Sequence, residues 1–220
     1  MEKFHQLRSE KVMTTFNLNE VKTCKNLDEL LSSKDKTNTI TDFENATLES
    51  ALERYAAIGR GWNEEELKMH FISPILNVAN PNLPSVCKTF FERPLTGIIN
   101  GYELFVVTDC MVASYNSGGQ PVSPYFFLQE FKQSQRFGKT DPEGQMLVAM
   151  LLAQQINQDQ KPLYGCFVVE KNWHFTTLSG TDYCISQQFN STNKTDLLQI
   201  VFILQKLKEL ILRRTVQIGE

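Results

Sequence analysis

Two long apolar segments, separated by a short stretch rich in Asn, Ser, Gly and Pro, dominate the hydrophobic pattern of the chain. The first segment, residues 102–108, runs into Asp109, and the second, residues 125–129, runs into Glu130 and Lys132. The intervening composition is that of a turn, so the pattern predicts two strands joined by a loop. Because successive side chains alternate across a sheet, we expect Glu130 and Lys132 to project from the same face.

The remaining elements follow from the same kind of pattern. Apolar residues at helical spacing predict helices, and apolar runs bounded by turn residues predict strands. An Asn-Gly pair at Asn100 and Gly101 predicts a tight hairpin. We expect helices at residues 27–33, 47–58, 63–76 and 194–214 and from residue 142 onward, and strands at residues 88–93, 162–169, 173–178 and 183–189. This order predicts an α/β fold with a central mixed β-sheet flanked by helices.

The length of 220 residues fits one domain. We expect residues 46–220 to form its core and residues 1–45 to be an N-terminal extension that packs on this core. The polar stretch at residues 32–39 predicts a loop. The sequence contains no internal repeat and no low-complexity segment.

Composition narrows the function classes. The net charge of −3 argues against a protein that coats nucleic acid by bulk electrostatics. It leaves room for an enzyme whose cleft carries local positive charge, which Lys132, Arg136 and Lys139 can supply. The alternative for these three residues is a solvated basic loop.

Cysteine and histidine usage excludes other classes. The five cysteines are scattered without a Cys-x-x-Cys pair, so we expect neither a zinc site nor a disulfide framework, and a reducing cytoplasm fits best. The three histidines stand far apart, and we expect surface or packing roles for them. The chain has no apolar run of membrane-spanning length and no signal-peptide pattern at its start. We therefore expect a cytoplasmic protein that does not bind membranes.

The candidate chemistry lies where the two long strands end. Charges at the ends of core strands are costly unless they are paired or bind a metal ion. If the strands are neighbours, Asp109 lies beside Glu130, and two carboxylates with a backbone carbonyl and waters can hold Mg²⁺. A nearby Lys132 can orient a nucleophile or offset developing charge. The alternative is an exposed Glu130–Lys132 ion pair at a strand end.

The helix predicted from residue 63 adds another candidate acid. Asn63 can cap this helix, and three glutamates in its first turn suit the positive end of the helix dipole. Capping and dipole stabilisation are one complete explanation of the acidic run. In a regular helix, however, Glu64 shares the face of Leu67, Phe71 and Ile75, which should pack on the sheet. Glu64 is therefore a candidate site residue.

These residues resemble a known pattern. An Asp followed some twenty residues later by Glu-x-Lys resembles the PD-(D/E)xK nucleases. The helix resembles the opening helix of the nuclease region of type I restriction enzyme motor subunits, where an Asn-Glu start and an Ile-x-Pro-x-Leu ending precede the Asp and Glu-x-Lys strands. The likeness covers residues 62–150 and is carried by Asn63, Glu64, Glu66, Lys68, Phe71, Ile72, Pro74, Leu76, Asp109, Glu130 and Lys132.

The resemblance implies a restriction-endonuclease-like core and a role for each matched residue. Glu64 becomes the helix acid, Asp109 and Glu130 the metal ligands, and Lys132 the residue that positions water or stabilises charge. Resembling nucleases often place a glutamine on the following helix, so Gln145 is a candidate ligand of substrate or water. The alternative for Gln145 is an exposed helix glutamine.

Two residues depart from the pattern. Thr108 stands at the position of the Pro in the PD-(D/E)xK motif. Many members of the superfamily also lack this Pro. Lys68 stands where the restriction enzyme subunits usually have Arg.

The resulting hypothesis is a Mg²⁺-dependent, endonuclease-like phosphodiesterase that hydrolyses DNA, with Mn²⁺ as a possible substitute. The alternatives are a catalytically inactive module that binds nucleic acid or protein on the same fold, and a small-molecule hydrolase with the same metal site. No Walker A sequence occurs, so we expect no ATP requirement. A free-standing chain of this kind would act alone, as a homodimer, or through a recruiting partner protein.

Overall fold

A mixed β-sheet forms the centre of the computed structural model, which describes residues 2–32, 40–132 and 141–216. Within these residues the sheet has nine strands. They are β1 (Glu2–Lys3), β2 (Asn19–Glu20), β3 (Lys88–Ile99), β4 (Tyr102–Tyr115), β5 (Pro121–Lys132), β6 (Leu163–Val169), β7 (Asn172–Ser179), β8 (Asp182–Ile185) and β9 (Phe189–Asn190).

The strand order places β4 and β5 in the middle of the molecule. The main path runs β1-β4-β5-β6-β7-β8-β2, with β3 paired to β4 and β9 paired to β7. The pairings of β3–β4, β4–β5, β6–β7 and β7–β8 are antiparallel, whereas β5–β6, β1–β4 and β2–β8 are parallel. The mixed sheet flanked by helices confirms the predicted α/β class.

Helices cover both faces of the sheet and give it two apolar cores. One core contains residues of α1 (Ser9–Phe16) and α6 (Pro142–Asn157). The other contains residues of α2 (Lys25–Leu31), α3 (Asp42–Ile58), α4 (Glu64–Leu67), a π-helical turn (Lys68–Ile72), α5 (Ser73–Ala79) and α7 (Lys194–Val216). A short 3₁₀ turn, Gly59–Gly61, joins α3 to the segment before α4. In the part of the chain that the structure describes, no helix is both long and apolar enough to cross a membrane.

The described part of residues 1–45 packs against the rest of the chain. Val12 and Phe16 of α1 lie in the core beside α6, and Leu27 and Leu30 of α2 lie in the opposite core. The β1 strand adds to β4 in parallel register. Residues 33–39, which contain most of the predicted polar loop, lie outside the described residues.

Several element predictions are confirmed and others are wrong in detail: β3 extends beyond the predicted residue 93 to Ile99, and the strand predicted at 183–189 is divided into β8 and β9. The hairpin at Asn100 and Gly101 is present, with φ angles of 50° and 83° that suit a tight turn. The α3 helix begins at Asp42 rather than residue 47, because Thr41 and Glu44 form a capping box in a stretch without apolar periodicity. The helix predicted at residues 63–76 is not regular, since the π-helical turn interrupts it.

Candidate active site at the ends of β4 and β5

The site lies where β4 and β5 stop pairing with each other. Their ladder ends at the Cys110–Gln129 pair, one residue beyond which Asp109 and Glu130 face each other across the two strands. The backbone N–H of Phe131 donates to Asp109 Oδ2 at 2.6 Å. The Asp109 carboxylate therefore takes the place of a strand carbonyl, and its position relative to β5 is fixed.

A shift in side-chain alternation brings Asp109 to this point. Leu104 and Val106 face the core beside α6, but Met111 and Ala113 also do, an odd spacing that a regular strand cannot produce. The neighbouring β3 shifts at the same place, opposite Asp109, where Glu92 has a φ angle of 49°. A positive φ is unusual for a residue with a side chain, and such strain clusters at functional sites.

Glu130 is a buried acid with one oxygen left without a partner. Its residue surface is 1% exposed, and Oε1 has no hydrogen-bond partner. Oε2 accepts a long bond of 3.4 Å from Gln145 Nε2, which α6 supplies. Burial raises the pKa of Glu130 well above its ordinary value, and the negative charge of the neighbouring Asp109 raises it further. The charge of Lys132 acts in the opposite direction.

Glu64 and Lys132 meet across the site. Lys132 Nζ lies 3.4 Å from Glu64 Oε1, and the two side chains are 27% and 32% exposed. Asn63 caps α4 as predicted, by accepting from the backbone N–H of Glu66 at 2.9 Å. This cap fixes the start of α4, and Glu64 follows it as the first residue of the helix. Glu64 therefore reaches the sheet from the opposite side to Gln145.

Lys68 is the most highly connected side chain of the site. Its ammonium group lies 2.7 Å from Asp109 Oδ1 and within 3.5 Å of oxygens of three glutamates, Glu64, Glu65 and Glu92. Burial lowers the pKa of Lys68, but the hydrogen bond and charge of Asp109, with the contributions of Glu65 and Glu92, outweigh it and raise the pKa well above its ordinary value. Lys68 is therefore a permanent cation at neutral pH.

A π-helical turn begins at Lys68. The backbone N–H of Ser73 bonds to the carbonyl of Lys68, five residues back, instead of following the α-helical pattern. One extra residue in the turn changes the angular position of everything that follows. Leu67, Phe71 and Ile75 are nevertheless all buried, as expected for the face that packs on the sheet.

The structure brings together the residues that the sequence singled out. A chain of contacts joins Gln145 to Glu130, Glu130 to Asp109, Asp109 to Lys68, Lys68 to Glu64, and Glu64 to Lys132. The expected alternatives of an exposed Glu130–Lys132 pair and an exposed Gln145 do not describe this arrangement, since Glu130 is buried and Gln145 only partly exposed. Of the predicted basic trio, Arg136 and Lys139 lie outside the described residues.

Sequence reasoning missed Glu65 and Glu92 and gave Lys68 no role. A Lys four residues after a Glu is an ordinary helix ion pair, so its spacing carried no signal for a site. In a regular helix Glu65 does not share the face of Glu64, yet its carboxylate accepts from Lys68 at 3.1 Å. Glu92 had no signal at all, because its position depends on the pairing of β3 with β4.

A pocket of about 200 Å³ opens beside the acids. Its polar wall is formed by Glu65, Lys68, Ser73, Glu92 and Asp109, and its apolar wall by Met69, Ile72, Leu76, Phe91 and Phe131. This recess reaches the site at Asp109 and Lys68.

The residues present fit a magnesium ion. Mg²⁺ is usually held by one or two carboxylates and keeps several waters. Asp109 and Glu130 are two such carboxylates. The buried Oε1 of Glu130 lacks the hydrogen-bond partner that a buried polar atom normally has. No cluster of three or more acidic, His or Cys side chains suited to a metal occurs within the described ranges, so a metal here would rest on this pair and on water.

Comparison with known proteins adds no assignment. The chain matches none of the protein-family models against which it was compared, and the comparison with curated proteins likewise found no match.

Proposed function

We propose that the protein is a Mg²⁺-dependent phosphodiesterase that hydrolyses DNA, built on a restriction-endonuclease-like version of the α/β fold. The observation that carries this proposal is the convergence of Glu64, Asp109, Glu130 and Lys132. These four side chains come from a helix and two strands, and their order along the chain is that of the PD-(D/E)xK nucleases. Independent surface charges would have no reason to meet at one place.

In this proposal Asp109 and Glu130 hold the metal ion. When bound, Mg²⁺ would supply Lewis acidity to a phosphate oxygen and lower the pKa of a coordinated water. The hydrogen bond from the Phe131 N–H holds Asp109 in position, so the carboxylate needs little rearrangement to act as a ligand. A cation would also offset the repulsion between the two adjacent carboxylates, which otherwise favours a proton on Glu130.

Lys132 and Glu64 form the second half of the proposed machinery. The ammonium group of Lys132 can donate to the attacking water or to a phosphate oxygen on which negative charge develops. Glu64 orients this ammonium group through their contact of 3.4 Å. Gln145 holds Glu130 from the side of α6 and can bind water or substrate with its unpaired Oε1.

The choice of DNA as substrate rests on the resemblance to the nuclease region of type I restriction enzyme motor subunits. That region works beside an ATP-driven motor, whereas this sequence has no Walker A motif. We accordingly propose a nuclease that needs no ATP and that acts alone, as a homodimer or through a recruiting partner.

The test is cleavage of supercoiled plasmid and of single-stranded DNA with Mg²⁺ or Mn²⁺. We expect Asp109→Asn and Lys132→Met each to reduce cleavage by at least about 100-fold while the far-UV spectrum stays unchanged. Two exposed residues remote from the site, Asp42 and Lys194, provide the matched controls Asp42→Asn and Lys194→Met, which should retain parental activity.

Two outcomes would contradict the proposal. Cleavage that survives both site substitutions belongs to another site or to a contaminant. A folded parent protein that cleaves neither substrate with either metal ion would favour the catalytically inactive binding module.

A further inference from the structure

The cluster around Lys68 contains more hydrogen-bond acceptors than one ammonium group has donors. A protonated lysine has three N–H donors, yet four carboxylate oxygens lie within 3.5 Å of Lys68 Nζ. The shortest contact, 2.7 Å, is to Asp109 Oδ1. Lys68 is thus surrounded by alternative acceptors, and the one it holds most closely is a proposed metal ligand.

The two oxygens of Asp109 are not equally available. Oδ2 already accepts from the Phe131 N–H at 2.6 Å, so Oδ1 is the oxygen best placed to reach a metal ion. That oxygen is the one that Lys68 occupies. A magnesium ion about 2 Å from the same oxygen would place two cations within a few ångströms of each other, at a site that is largely shielded from water.

The other acceptors of Lys68 are different in character. Glu65 and Glu92 are 75% and 59% exposed, whereas the Asp109 side chain is 9% exposed. The ammonium group can therefore leave Asp109 and keep two carboxylate partners in the solvent-exposed part of the site. Its charge would not be left unpaired in an apolar environment. Lys68 also begins the π-helical turn, an irregularity that often accompanies functional sites.

We propose that Lys68 is an internal counter-ion that competes with the metal ion for Asp109, and that metal binding displaces its ammonium group toward Glu65 and Glu92. This inference rests on the proposed function, because it requires Asp109 to be a metal ligand. Lys68 is a positioning residue in this account, since it acts on the metal site through Asp109.

The test is the affinity for Mn²⁺ measured by titration calorimetry and by electron paramagnetic resonance of free Mn²⁺, both without DNA. Lys68→Met removes the charge and keeps most of the side-chain length, and we expect it to bind Mn²⁺ at least about tenfold more tightly than the parent. Lys68→Arg keeps the charge and can bind Asp109 through two N–H groups, so we expect severalfold weaker binding. The opposite signs keep the proposal testable if one variant does not fold.

Two further variants identify the site that is measured. Lys194→Met removes an exposed lysine whose ion-pair partner, at 2.6 Å, is Glu49 and not an acid of the site, and it should leave the affinity unchanged. Lys68→Met combined with Asp109→Asn should lose the gained affinity. A gain that persists in this double variant would place the ion on the glutamates alone and overturn the inference.

The remaining outcomes separate the inference from the proposed function. If the parent and Lys68→Met bind Mn²⁺ equally and Asp109→Asn abolishes binding, the metal site stands and the competition is refuted. If Lys68→Met binds more weakly than the parent, Lys68 supports the metal site and the proposal is again wrong. If neither protein binds Mn²⁺, the metal site itself fails, and the inference falls with it.

Discussion

The candidate site and the ion pair at the end of α7 are two partly buried clusters of charged side chains that differ in the balance of cations and anions. At the end of α7, Arg214 is 8% exposed, and its Nε donates to Asp159 Oδ2 at 3.0 Å while Nη1 donates to the carbonyl of Pro162 at 3.3 Å. The guanidinium carbon also lies 5.2 Å from the centre of the Phe126 ring. One cation is paired with one anion, and the Nη1 donor of Arg214 has the Pro162 carbonyl as its acceptor.

The candidate site lacks this balance. Among the described residues, two ammonium groups meet five carboxyl groups, and a buried oxygen of Glu130 has no partner. The ammonium groups are those of Lys68 and Lys132, and the carboxyl groups are those of Glu64, Glu65, Glu92, Asp109 and Glu130. A paired structural ion bridge is complete, whereas the two adjacent buried carboxyl groups of Asp109 and Glu130 are unfavourable in their ionised forms unless a proton or a cation neutralises their charge. This contrast is the physical argument for a cation site between β4 and β5.

The largest effect should come from breaking the balanced pair. We expect Arg214→Met to lower the free energy of unfolding by about 3 kcal/mol, because Asp159 would keep a largely buried charge without its partner. Arg213→Met is a matched control, since Arg213 is 59% exposed and its ion pairs should contribute less than about 1 kcal/mol. Urea unfolding measures both. Mn²⁺ affinity should stay unchanged in each variant, and equal losses in the two would contradict the structural role assigned to Arg214.

Substitution within the unbalanced site should act in the opposite direction. We expect Glu130→Gln to raise the free energy of unfolding at pH 8 in EDTA. The pKa of Glu130 is raised in the folded protein, so the unfolded chain loses this proton at lower pH than the folded one. The stability contributed by the protonated carboxyl is therefore present at low pH and is lost as the pH rises toward the folded pKa.

Urea unfolding of both proteins between pH 4 and pH 8 measures this difference, with the exposed Glu53→Gln as control. The stability of the Glu130→Gln variant should depend less on pH than that of the parent. A variant that is less stable than the parent at pH 8 in EDTA would show that Lys132 and Gln145 already stabilise an ionised Glu130.

The sequence predicted the acids of the site because each stands at the end of a recognisable element. Asp109 and Glu130 end apolar runs, and Glu64 follows a capping Asn, so local patterns sufficed to place them on neighbouring elements. The pairing of β4 with β5 then brings the two strand acids together. The strands β1 and β2, with two residues each, are too short to show any periodicity, so their parallel pairings were beyond prediction.

The sequence pattern did not predict the roles of Lys68 and Glu92, for a different reason. Lys68 has the spacing of an ordinary helix ion pair with Glu64, whereas Glu92 depends on a departure from regular geometry, its positive φ in β3. Hydrophobic periodicity assumes a fixed angle per residue, and it cannot register one extra residue in a turn or a simultaneous phase shift in two paired strands. The irregular positions are also those that distinguish this site from a regular helix packed on a regular sheet.

The smallest effect concerns a partly buried acid outside the site and tests whether a raised pKa by itself marks a metal ligand. Burial, aided by the charges of Asp141 and Glu20, raises the pKa of Glu143 in α6 from 4.5 to about 7. The protonated form therefore stabilises the fold at low pH, and this contribution is lost as the pH rises from 4.5 toward 7. Because Glu143 is partly exposed to water, we expect Glu143→Gln to recover only about 1 kcal/mol at pH 8 relative to pH 4.

Unfolding experiments with EDTA or saturating Mn²⁺ then distinguish Glu143 from Glu130. A metal ion bound by Asp109 and Glu130 favours the ionised Glu130, so Mn²⁺ should remove the stability advantage of Glu130→Gln over the parent. The advantage of Glu143→Gln should be the same with and without Mn²⁺, because this carboxyl group has no share in the site. If Mn²⁺ acts equally on both variants, it binds the folded protein elsewhere, and the unbalanced charge between β4 and β5 is not a metal site.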